Sequence, residues 1–144
     1  MKKVIYPIYP DLKNKNILIS GGGSGIGESF VKAFAFQGSR VAFLDIQEEV
    51  SNELVRKLAK NGPKPLFVKC DLTNINELKN SVSLVEKKFG AVNVLINNAA
   101  NDERHDPENI TPEYLDQRLR LNFSHHFFAA QAVKPKMAKA GGGS

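Results

Sequence analysis

The chain is poor in the features that would assign it to several common classes. It has one cysteine, Cys70, so it can form no internal disulfide and no cysteine-based zinc site. Apolar neighbours mark Cys70 as a buried thiol rather than a reactive one. No apolar run approaches the roughly 20 residues of a membrane-spanning helix. The basic start Met1-Lys2-Lys3 is followed by Pro7 and Pro10, which interrupt what would be a signal core, and a cytoplasmic location is expected. Charge is not clustered. The net charge is +5, yet the lysines are spread among acids with no aromatic-basic stripe, which argues against a nucleic-acid partner. There is no internal repeat, and low complexity is confined to Gly141–Ser144.

What is present is a regular alternation. Ile17-Leu18-Ile19 is a short apolar strand running into Ser20 and a glycine cluster. A helix is expected over 26–37, with Ile26, Phe30 and Phe34 four apart and Gly38 as its stop. A second strand, 41–44, ends at Asp45. A second helix, 47–61, carries Val50, Leu54 and Leu58 on one stripe. The third strand, 66–68, ends at Cys70-Asp71. Asn74 with Glu77 reads as a capping box opening a helix that stops at Gly90. Residues 92–96 form a fourth strand running into Asn97-Asn98-Ala99-Ala100. After a polar loop, Thr111 caps and Pro112 opens a long helix to about residue 138. The fold class is therefore α/β, a doubly wound parallel sheet with helices on both faces, and the order usual for a Rossmann-type sheet, 3-2-1-4, is expected of it. Residues 1–13 read as an N-terminal extension, 14–140 as the α/β domain, and 141–144 as a Gly/Ser end.

In such a sheet the carboxyl ends of all strands share one edge, and ligands bind where strand order reverses. That reversal falls between the first and fourth strands, so the loop Ser20–Gly27 and the Asn97–Ala100 turn should flank one crevice. In the loop, Gly21 permits the tight turn and Gly25 admits close approach of a pyrophosphate. Gly27 lets the helix pack on the sheet. The helix start, with Ser24 and Ile26, supplies N–H groups for phosphates. Asp45 lies 20 residues after Gly25, where an acid accepts hydrogen bonds from adenosine ribose hydroxyls. It would repel a 2′-phosphate, and neither Ser24 nor Ile46 offers a cation, so NAD is favoured over NADP. Asp71 could accept from the adenine amino group while Leu72 packs the ring. No metal site is expected. His125 and His126 are adjacent on a helix and point about 100° apart, and His105 lies in a loop; surface or interface roles are expected for all three.

The spacing Ser20-Gly21-x-x-x-Gly25-x-Gly27, with Asp45, Cys70-Asp71-Leu72, Asn97-Asn98-Ala99 and Asn122, resembles the short-chain dehydrogenase/reductase family from about residue 11 to the end. The resemblance implies that Asn98 and Ala99 line the cofactor site. It also implies that Asn122 is the asparagine of an Asn-Ser-Tyr-Lys tetrad, holding a water in a proton relay. The family has Gly where this chain has Ala100, whose Cβ would crowd the cofactor or shift the loop. Ile8–Lys13, Asn101–His105 and Gln131–Pro135 are similar to bacterial sugar dehydrogenases of the D-xylose 1-dehydrogenase type, which implies an aldose as small-molecule substrate. Asp102 or Arg104 would then meet a sugar hydroxyl, or the loop is simply solvated.

The resemblance also implies a catalytic Ser on a fifth strand and a Tyr-x-x-x-Lys helix beyond it. Neither falls within the 144 residues. Only Tyr9 has a lysine four on, Lys13, and both precede the first strand. The expectation is a chain truncated after its fourth βα unit, inactive alone, with self-association through the long helix or a bare edge on the fourth strand. Two alternatives are a non-catalytic NAD-binding module and a non-functional gene fragment. A methyltransferase also fits the glycine loop and Asp45, but the asparagine turn and Asn122 argue against it.

Overall fold

A computed structural model describes residues 7–60 and 62–144. The sequence readings for residues 1–6 and for Asn61, at the end of the second helix, lie outside the described residues.

Four strands, β1 (Asn16–Ser20), β2 (Arg40–Asp45), β3 (Leu66–Lys69) and β4 (Val94–Ile96), form one parallel sheet of order β3-β2-β1-β4. The register sets Ile17 against Val41 and Val94, and Phe43 against Phe67. Strand side chains alternate between faces, and the core divides accordingly. Ile17, Ile19, Val41 and Phe43 face α1 (Gly25–Phe36) and α2 (Glu48–Leu58), meeting Val31, Leu54 and Val55. Leu18, Ala42 and Leu44 face the other side, meeting Leu78, Val82 and Val85 of α3 (Ile75–Phe89) with Ala129 and Val133. Cys70 is buried there too, and burial raises its thiol pKa. Among the described residues, no helix is long and apolar enough to cross a membrane.

Three local expectations are corrected. The expected capping box is one-sided. Asn74 Oδ1 accepts from the amides of Asn76 and Glu77, but the Glu77 carboxylate accepts from Asp71 N–H at 2.9 Å instead of returning to Asn74. The single long helix is three pieces: α4 (Pro112–Leu119), a π-helical turn at Arg120–Ser124, and α5 (His125–Lys139). The edge of β4 is not bare. The Leu95 N–H donates to the Ser144 carbonyl at 2.8 Å, and the Ser144 N–H donates to the Asn93 carbonyl at 3.0 Å.

α5 lies on α3, where Lys136 pairs with the nearly buried Glu86 carboxylate at 2.9 Å. This packing holds the π-turn over the carboxyl end of the sheet.

Candidate functional site

The crevice begins at the turn from β1 into α1. Gly21 has φ +67°, and a Cβ there would stand 2.8 Å from the Ala99 Cα, so the asparagine turn packs directly on glycine backbone. Gly27 is tighter still: its Cβ would lie 1.8 Å from the Gly21 carbonyl oxygen and 2.7 Å from Asn98 Nδ2. Gly27 therefore accommodates the loop carbonyl after β1 and the Asn98 side chain after β4. Ser24, Gly25 and Ile26 are exposed, and beyond its chain neighbours and its own helix backbone nothing lies within 4 Å of a Cβ built on Gly25. The N-terminus of α1 has no side-chain cap, so its first N–H groups are not satisfied by Ser24.

Asp45 closes the loop from the side. It is 7% exposed, its Oδ2 accepts from Gly23 N–H at 2.8 Å, and its Oδ1 accepts from Gln47 N–H at 2.9 Å. Each carboxylate oxygen keeps a second lone pair, so the group can still accept from a hydroxyl. Ile46 beside it is 61% exposed. At the end of β3, Asp71 Oδ1 accepts from both the amide and the hydroxyl of Thr73. Leu72 does not offer a free face to a ring: it is 6% exposed and belongs to the core with Leu78 and Val82.

The asparagine turn is stapled to the glycine loop. Asn98 Nδ2 donates to the carbonyls of Ser20 and Gly21 at 3.1 and 3.0 Å, and the amides of Asn98 and Ala99 both donate to Ser20 Oγ. Ala100 is exposed and has no positive φ, so its methyl group needs neither the space nor the backbone freedom of a glycine.

Asn122 lies in the π-turn, a device frequent at functional sites. Its Oδ1 accepts from Asn101 N–H and its Nδ2 donates to the Asn101 carbonyl, both at 2.8 Å. The side chain thus fixes the start of the loop after β4. The same loop is tied to α4 by Arg118, which pairs with Glu103 at 2.8 Å and stacks over Tyr114.

Sequence reasoning missed one member of the site. His125 is not at the surface: its exposure is 0%, its Nε2 is 3.3 Å from Ser20 Oγ, and its Nδ1 faces the Leu121 carbonyl. Burial, and secondarily the neighbouring His126, lowers its pKa to about 4. The signal was available, because His125, Ala129 and Val133 are spaced four apart on the buried stripe of α5.

A family model described as short chain dehydrogenase matches residues 15–144. The chain belongs to the short-chain dehydrogenase family. It is 46% identical over 137 residues to a probable galactose dehydrogenase of Rhizobium meliloti (strain 1021), covering 94% of this chain and 54% of the relative. It is 45% identical over 137 residues to a D-xylose 1-dehydrogenase of Caulobacter vibrioides (strain NA1000 / CB15N), covering 95% and 54%. Among solved structures, an NADH-dependent reductase complexed with NAD superposes with a TM-score of 0.82 at 31% identity, over 92% of this chain and 57% of that one. The chain thus spans about half the length of the curated relatives it matches.

Proposed function

We propose that this chain is the NAD-binding half of an oxidoreductase that oxidises an aldose by hydride transfer. The observation that carries the cofactor assignment is the uncapped N-terminus of α1 opening onto free space at Gly25, with the Asp45 carboxylate beside it. Helix N–H groups and the partial positive charge of the helix end suit a pyrophosphate. Ser20, Gly21, Ser24, Gly25, Ile26 and Gly27 would hold it, Asp45 and Ile46 would meet the adenosine, and Asn98, Ala99 and Ala100 would border the nicotinamide side. The Asp45 charge disfavours a 2′-phosphate, which supports NAD over NADP. When bound, the nicotinamide supplies the hydride acceptor.

The aldose assignment is supported by the two relatives named as galactose and D-xylose dehydrogenases. In this reading Asp102 or Arg104 presents a polar group to the sugar from the loop that Asn122 anchors. A relay role for Asn122 has to accommodate the fact that both of its side-chain groups are already engaged by Asn101. Within these residues the one tyrosine with a lysine four positions on is Tyr9, which precedes β1 and not a strand-to-helix unit beyond the crevice, so the 144-residue chain is expected to bind NAD without turnover.

Self-association belongs to the same proposal. Leu115, Leu119, Phe123 and Phe127 are each at least half exposed and recur every four residues along α4, the π-turn and α5. A second copy of this chain would cover that stripe, as the family resemblance implies.

Calorimetric titration tests the cofactor reading. NAD is expected to bind at least about tenfold more tightly than NADP, and Asp45→Ala to erase the preference. Equal affinity for the two in the unsubstituted chain would contradict the role given to Asp45.

A further inference from the structure

Ser20 Oγ accepts two backbone hydrogens, from Asn98 at 3.0 Å and Ala99 at 3.1 Å. A hydroxyl has one hydrogen of its own to donate, and the imidazole Nε2 of His125, 3.3 Å away and fully buried, is the acceptor facing it. Nδ1 of the same ring meets the Leu121 carbonyl, which can only accept, so Nδ1 carries the proton and Nε2 is the free lone pair. The chain of bonds runs in one direction: His125 N–H to Leu121, Ser20 O–H to His125, and the two turn amides to Ser20.

We propose that His125 is a positioning residue for the cofactor crevice: its neutral Nε2 takes the Ser20 hydroxyl hydrogen and thereby aims the oxygen at the Asn98 and Ala99 amides. The turn is then held against the glycine loop with the Ser20 hydrogen and the two turn amides all matched. Without an acceptor at position 125 the Ser20 hydrogen has no buried partner. The hydroxyl must then rotate, and it competes with the amides for the same narrow space. The consequence for NAD rests on the cofactor assignment above; the consequence for the turn does not.

The test uses the 144-residue chain with His125→Phe, which keeps an aromatic ring without an acceptor, and His125→Gln, whose Oε1 sits at the same depth along the side chain as Nε2. Amide hydrogen exchange is read without cofactor at Asn98 and Ala99, against the core amides of Ile19 and Phe43 as monitors of global opening. In H125F the two turn amides should exchange about tenfold faster relative to the core, the loss expected for one buried hydrogen bond. H125Q should restore them. NAD affinity should fall about tenfold in H125F and recover in H125Q, a rescue that ring volume alone would not give.

Should H125F fail to fold, nitrogen NMR of the unsubstituted chain decides the matter: a proton on Nδ1 with Nε2 bare is expected, and a proton on Nε2 overturns the proposal. Unchanged relative exchange in H125F, or Phe and Gln variants that behave alike, also overturns it. Loosened turn amides with unaltered NAD affinity would show that His125 steadies the turn without positioning it for cofactor, and so would sink the proposal. Failure of the unsubstituted chain to bind NAD would refute the cofactor assignment, and the exchange ratios would still test the bonding to Ser20.

Discussion

Asn98 donates through Nδ2 to the Gly21 carbonyl at 3.0 Å, and that same carbonyl oxygen is the atom a Cβ on Gly27 would strike. The start of α1, the glycine loop and the asparagine turn therefore meet at a single oxygen. Gly27→Ala must displace either the loop or the helix. We expect a loss of about 1–3 kcal/mol in stability, the usual cost of overpacking, together with loss of NAD binding. Denaturant unfolding and calorimetry would check both. An alanine variant that is stable and binds normally would show that the loop moves freely.

Asn122 can be tested through the loop it anchors. Asn122→Ala leaves the Asn101 N–H and carbonyl without their side-chain partners, at about 1–3 kcal/mol for partly buried groups. Limited proteolysis within 101–106 should accelerate while the core amides stay protected. Asn122→Asp should fall between the two, because a carboxylate can accept from Asn101 N–H but has no hydrogen for its carbonyl.

The pH dependence follows from His125. Its pKa is lowered to about 4 by burial, from an ordinary value near 6.5. The unfolded chain thus binds this proton more readily than the folded one. The stabilisation is complete above about pH 6.5, is lost progressively as pH falls toward 4, and amounts to as much as about 3 kcal/mol. Denaturant midpoints between pH 7 and 4.5 should fall more steeply in the unsubstituted chain than in His125→Gln. Parallel curves would assign the acid sensitivity to other groups.

The apolar stripe predicts assembly. Phe123→Glu with Phe127→Glu should shift sedimentation toward the monomer without lowering the unfolding midpoint, since both rings are more than half exposed. Unchanged sedimentation would place any association elsewhere.

The parallel sheet was legible because Ile17–Ile19, Val41–Leu44 and Leu66–Val68 are continuous apolar runs, each followed within three residues by a glycine or an acid. The glycine loop, Asp45 and the Asn97–Ala100 turn were legible because they sit where strands end. The π-turn was not, since an extra residue in one helical turn leaves an apolar stripe that still reads as helix. Burial of His125 is signalled only by its four-residue spacing from Ala129 and Val133, against the polar character of an imidazole. Pairing of Ser144 with β4 rests on backbone alone, and Gly141–Gly143 carry no side chains to signal it.

The central claim, that this chain holds a working NAD site, is tested most directly by a thermal melt of the 144 residues with and without NAD. Cofactor at about 100 times its dissociation constant should stabilise a folded binder by about 2.7 kcal/mol and raise the midpoint of a cooperative transition. A cooperative melt indifferent to NAD would contradict the account.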